Sequence, residues 1–157
     1  MNLISFFIAL QIVLLFFMTF HDWIHLPPLI DIRELEKHST KKGRLINSTI
    51  FFFIVFIPLL LTWVYRSNLT PGVLINIGLF YFFLTIGTIF SWWVPYFFGS
   101  SEKHKADFAE YKNTHHFLPA RRDNVIPNTF HVILHLQIWT CLGISLYLLI
   151  RSFYDAV

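Results

Sequence analysis

The chain has 157 residues, 55% of them hydrophobic and 13% charged, where ordinary soluble domains run at about 45–50% and about 25%. The apolar residues gather in long uncharged runs, which excludes a water-soluble globular domain and predicts an all-α integral membrane four-helix bundle forming a single domain. The net charge of +3 comes from loop residues, so a nucleic-acid surface is not expected, and the lone Cys141 rules out a disulfide within the chain.

A helix needs about 20 apolar residues to cross the hydrocarbon core. The first run, 2–26, is ended by Pro27 and Pro28, since proline cannot continue the hydrogen-bond ladder and disfavours a helical residue before it. No basic segment precedes it and no small-residue cleavage pattern follows Phe20, so it reads as a retained span rather than a signal peptide. Loop 27–44 carries Arg33, Lys37, Lys41, Lys42 and Arg44. The second span, 45–65, contains Pro58, which should kink it and free the Ile54 carbonyl. With little polarity between Thr49 and Thr62, it is the expected lipid-facing helix.

The connection 66–72 is short, so spans two and three form an antiparallel hairpin. Span three, 73–98, starts after Pro71-Gly72 and stops at Gly99, and its length predicts a tilt or a bend near Pro95. Asn76, Gly87, Thr88 and Ser91 share one broad face, where small residues allow close helix approach. The long loop 99–127 carries Lys103, Lys105, Lys112, Arg121 and Arg122. Ser100 is expected to cap a surface helix over 102–113, with Phe108 and Tyr111 on one side. The fourth span, 129–150, has Asn128 as its N-cap after Pro127.

Against the ten basic residues just named, only Arg66 and Arg151 lie on the other side. The positive-inside rule therefore puts loops 27–44 and 99–127 in the cytoplasm and both termini outside. Trp63, Tyr65, Trp92, Trp93, Tyr96 and Tyr147 fall near span ends, as an aromatic belt does.

The eight histidines all fall on the predicted cytoplasmic side. His21 and His25 are spaced to stack on one helix face, as are His131 and His135, so two helices offer up to four imidazoles for a zinc or iron ion. Gln11, Met18, His21, Asp22 and His25 share an arc of about 100°, which should face protein rather than lipid. Asp22 and the adjacent His115 and His116 are candidate catalytic groups. Helix dipoles favour neutral imidazole at His131 and imidazolium at His21 and His25, so without a metal the pairs could serve as base and acid. Arg121 and Arg122 are candidates for binding a phosphate or carboxylate, and also serve as topology anchors. The stretch 92–98, WWVPYFF, could wall a pocket for an acyl or isoprenoid chain, or belong to the aromatic belt.

HxxxH twice and one adjacent His pair is similar, as donor chemistry, to the histidine boxes of integral-membrane desaturases and hydroxylases, without their HxxHH boxes. Phosphate-binding glycine loops, GxSxG, HExxH and CxxC are absent. Four functions stay open: a metal-dependent enzyme acting on a membrane lipid or other amphiphile, a haem or quinone electron carrier, a small transporter subunit, and a non-catalytic membrane partner. Four spans make a thin bundle, so a homo-oligomer is a further expectation. Each functional reading needs spans one and four to be neighbours.

Overall fold

A computed structural model describes residues 2–154, and every regular element among them is helical. Helix α1, Leu3–Phe20, is capped by Asn2, whose Oδ1 accepts from the Ser5 N–H at 2.8 Å. It ends earlier than the apolar run suggests. A single 3₁₀ turn, His21–Trp23, follows, and Ile24 is already extended at φ −106° and ψ 122°. The steric demand of Pro27-Pro28 thus propagates back along the chain and releases His25 from the helix.

Helix α2, Ile32–His38, is capped by Asp31, and α3, Lys41–Val64, by Thr40; α3 runs on through Pro58. Because Thr40 supplies the cap, the helix begins within the basic segment, and Arg44 and Asn47 become helical.

Helix α4, Pro71–Thr88, opens on proline, whose missing N–H costs nothing in a first turn. A π turn, Ile89–Trp93, joins it to α5, Val94–Phe98, which stops at Gly99 with φ 111°. The π turn is the deviation expected near Pro95. Proline cannot bond to the carbonyl four residues before it, and His104 Nε2 donates to that Ser91 carbonyl at 3.0 Å instead. The expected helix 102–113 is split into α6, Glu102–Asp107, capped by Ser101 rather than Ser100, and a 3₁₀ turn, Ala109–Tyr111. Helix α7, Thr129–Tyr154, starts at Asn128, whose Oδ1 accepts from the His131 N–H at 2.9 Å.

Four helical segments are long and apolar enough to cross a membrane: Leu3–Trp23, Lys41–Val64, Pro71–Phe98 and Thr129–Tyr154. They pack as two close pairs, α1 with α3 and α4 with α7, joined by looser α1–α7 and α3–α4 seams. Spans one and four are therefore neighbours. Gln11, fully buried, donates to Thr62 Oγ1 at 3.1 Å, and Gln137 donates to the Leu10 carbonyl at 2.9 Å. Such bonds inside membrane bundles contribute about 0.6 kcal/mol each, so they fix register more than they add stability. The close approach of α4 to α7 runs past Gly78, where an added Cβ would stand 3.7 Å from Ser145 Oγ. It does not run past Gly87. With 22% of its apolar window buried, α3 is among the least buried of the four segments, a place it shares with Pro71–Phe98.

Candidate ligand cavity

Where the two helix pairs part, they enclose a cavity of about 810 Å³. Ligand sites commonly occupy roughly 300–1,000 Å³. Its lining is divided along the helix axes. Phe51, Ile54, Phe80, Phe83, Leu84 and Ile138 make an apolar wall, whereas His21, Asp22, Arg44, Glu110, His131 and His135 gather at the end nearer the two long loops. From Arg44 to Ile54 the lining covers about 15 Å at 1.5 Å per residue. Asn47, Leu79, Phe83, Gly87 and Ser91 line the cavity yet are exposed, so it opens sideways between α3 and α4. The face of α4 bearing Asn76, Gly87, Thr88 and Ser91 thus lines the cavity, with nothing within 4 Å of a Cβ built on Gly87, while Thr88 Oγ1 also accepts from Trp139 of α7 at 3.4 Å.

Hydrogen-bond logic sets the state of each imidazole. His131 is buried, and its Nδ1 lies 2.7 Å from Asn128 Oδ1. The orientation of that amide is fixed, because the same Oδ1 accepts from the His131 backbone N–H while Nδ2 donates to Thr114 Oγ1 at 2.9 Å. His131 Nδ1 must therefore carry the hydrogen, and in the neutral ring Nε2 keeps a lone pair. His135 has the opposite tautomer. Trp93 Nε1 donates to its Nδ1 at 3.2 Å, which leaves the hydrogen on Nε2. His21 faces two acceptors, the Phe17 carbonyl at 3.0 Å from Nδ1 and Asp22 Oδ1 at 3.0 Å from Nε2. Both contacts are satisfied by imidazolium beside carboxylate, or by neutral imidazole beside a protonated Asp22, so the pair holds one mobile proton.

The rings are near one another. Centroids of His21 and His131 are 6.0 Å apart, and those of His131 and His135 are 6.2 Å apart. The π turn contributes by turning Trp92 onto His131 at 4.3 Å and Trp93 onto His135. Tyr111, from the long loop, packs edge-on against His131 at 4.7 Å. Burial pushes the carboxyl of Glu110 above its usual range, against the hydrogen bond of Tyr111 and with help from the charge of Asp22. Burial also raises the Tyr111 hydroxyl well above its usual value, and the Glu110 charge adds to this.

Arg44 is only 3% exposed. Its Nη1 donates to the Asp22 carbonyl at 3.3 Å and its Nη2 to Glu36 Oε1 at 3.1 Å, while the buried Nε has no partner. The guanidinium lies 5.0 Å from the Trp23 ring, and Trp23 is held by donation to Ser48 Oγ at 2.8 Å.

Other sequence candidates lie elsewhere. The stacking of His25 on His21 is lost because the helix ends first, and His25 is exposed with Nδ1 3.8 Å from Asp31 Oδ1. His115 bonds to Thr129 Oγ1 at 2.7 Å, and its N–H bonds to the Pro28 carbonyl, so it ties the two long loops together. His116 Nε2 donates to the Tyr111 carbonyl at 3.1 Å. Neither ring lines the cavity. Exposed Arg121 stacks over Phe97 at 5.2 Å and Tyr96 at 5.9 Å, and exposed Arg122 sits at φ 55° in the loop. Among the described residues, no three His, Cys, Asp or Glu side chains are grouped so as to hold one metal ion.

No family model, curated protein or solved structure matches this chain. Arg44 and Glu110 escaped the sequence reading; of the stretch 92–98 expected as a pocket wall, Trp92 lines the cavity, and Tyr111, expected only on one side of a surface helix, lines it too. Thr40 four residues before Arg44 was the available signal, because a Thr cap draws Arg44 into the helix.

Proposed function

We propose that this chain is a membrane-embedded enzyme that takes an amphiphile sideways from the bilayer and performs acid–base chemistry on its head group. One observation carries the reading: apart from Asn76 the cavity is apolar away from the loops and polar at the loop end, where His131 offers a lone pair beside a proton-holding His21–Asp22 pair. The apolar tail would lie against Phe51, Ile54 and Phe83, and the head among the imidazoles. Lipid tails are about as apolar as leucine, so the tail gains little on leaving the bilayer and selectivity falls to the head group. His131 Nε2 would take a proton from a head-group O–H or N–H, or from a water attacking it, and the His21–Asp22 pair would return one. The Nε2–H of His135 is the hydrogen-bond donor for an oxygen that gains charge. General acid–base help of this kind is worth about 10²–10⁴-fold in rate. The positive-inside rule supports placing this end at the cytoplasmic leaflet.

A zinc or iron ion in the same cavity is the second reading, favoured by the free Nε2 of His131. His135 argues against it: with Nδ1 accepting from Trp93, metal at Nε2 would require imidazolate.

Chains reconstituted with a total lipid extract test the proposal, with lipid species followed over time and metal content measured in parallel. A head-group-altered species is expected with the wild-type chain, about 10²–10⁴-fold slower with His131→Gln. No altered species, or one formed equally by His131→Gln, overturns the acid–base reading. Stoichiometric metal lost on His131→Gln would replace it with the metal-assisted one.

A further inference from the structure

We propose that Arg44 is the receptor for an anionic head group, a phosphate or carboxylate carried on an apolar chain. This rests on the amphiphile reading of the cavity and names the class of amphiphile.

Arg44 lines the cavity while being almost wholly buried, an expensive place for a cation whose donors are not all used. A guanidinium has five N–H donors, and the two bonds from Nη1 and Nη2 leave Nε and one hydrogen on each Nη unspent. Its plane is held by the Trp23 ring, which is itself anchored to Ser48, so the group is preorganised rather than free to snorkel. Asn47, one helical turn on, lines the same cavity with an amide that could share the anion.

The neighbouring carboxylates do not cancel this charge within the cavity. Asp22 is paired with His21 at 3.0 Å, and Asp107 is exposed. Glu110 is shifted by burial toward its neutral form. Glu36 is the counter-ion of Arg44, but its side chain is 50% exposed, so solvent screens it and an incoming anion competes with it. Phosphate and carboxylate both match the fork of the guanidinium, and planar bidentate pairing is what Arg offers over Lys. Arg121 and Arg122, the guanidinium groups first suspected, do not line the cavity.

The experiment uses the full chain in nanodiscs of zwitterionic lipid. An alkyl phosphate brominated on the third carbon of its chain, the matched bromoalkanol and inorganic phosphate are titrated, with bromine quenching of tryptophan fluorescence as the readout. Trp92 lines the cavity at its head-group end, packed on His131 at 4.3 Å, so a bromine close to the seated head quenches it. The alkyl phosphate is expected to bind at least tenfold more tightly than the alkanol. Arg44→Gln should make the two equal, and Arg44→Lys should keep part of the preference. Glu36→Gln leaves Arg44 in place and removes the negative charge that competes with the anion, so it should widen the preference even if Arg44→Gln folds poorly. Competition by inorganic phosphate alone would support the receptor while assigning it a free anion rather than a lipid head.

Equal binding of phosphate and alkanol by the wild-type chain, or a preference unmoved by both Arg44→Gln and Glu36→Gln, overturns the Arg44 assignment and leaves the amphiphile cavity standing. Absence of saturable quenching by either probe overturns both.

Discussion

Asn128 holds the proposed base, and removing it separates the tautomer argument from mere proximity of histidines. The residue is 1% exposed; it caps α7 through the His131 N–H and accepts from His131 Nδ1. Asn128→Ala removes a cap worth about 1 kcal/mol and leaves a buried Nδ1–H without an acceptor at about 1–3 kcal/mol, so the loss should be about 3 kcal/mol. At about 2–4 °C per kcal/mol for a chain of this size, the unfolding midpoint should fall by roughly 6–12 °C. Asn128→Asp keeps both acceptor roles but loses the donation to Thr114 and buries a carboxylate, so it should recover only part of that fall. Nitrogen-15 spectra of labelled histidine provide the second assay. His131 should show a fixed Nδ1–H tautomer in the wild type and exchange between tautomers in Asn128→Ala. A midpoint within about 2 °C of wild type, or an unchanged imidazole spectrum, would refute the assignment of Nε2 as the free base.

Further outcomes follow from the same geometry. Trp93→Phe keeps the ring but removes the N–H, so His135 should lose its fixed tautomer in the same spectra while His131 keeps its own. Gly87→Leu places a side chain in open space and removes a helical glycine, so the fold should gain up to about 1 kcal/mol while retention of amphiphile, read by mass spectrometry of the intact chain, falls. Burial raises Glu110 in the folded chain, so its carboxyl favours the fold most at pH below its unfolded value and progressively less as pH rises through the folded one. Glu110→Gln should therefore raise the midpoint near neutral pH and leave it little changed at acid pH.

Much of the architecture could be read from the residues, because a bilayer leaves few choices. Uncharged runs must be helices there, and Gly99 and Asn128 marked ends that helices do use, while α4 begins on Pro71 instead of after Gly72. Buried Gln11 and Asp22 obeyed the rule that polar groups in a span turn from lipid. What failed was local and had a local cause. Pro27-Pro28 acted several residues upstream and took His25 off the helix, so ideal i, i+4 spacing described a helix that is not there. Small residues on α4 signalled close packing at Gly87, yet Gly87 meets a void and the close approach falls at Gly78 beside Ser145, a distinction set by the partner helix. Arg44 was counted as a topology charge because Leu45 opens the apolar run, whereas the Thr40 cap makes Arg44 part of the helix and of the cavity. The opposite tautomers of His131 and His135 depend on Asn128, Thr114 and Trp93 meeting in space, which no spacing reveals.

Photo-crosslinking with a diazirine-tailed alkyl phosphate in nanodiscs tests the cavity itself. Saturable labelling should map to Phe51, Ile54 and Phe83 and be displaced by unlabelled probe. Labelling confined to outward residues outside the cavity, such as Phe53, Phe82 and Phe90, and proportional to probe without saturation, would mean that the space between the helix pairs takes no amphiphile.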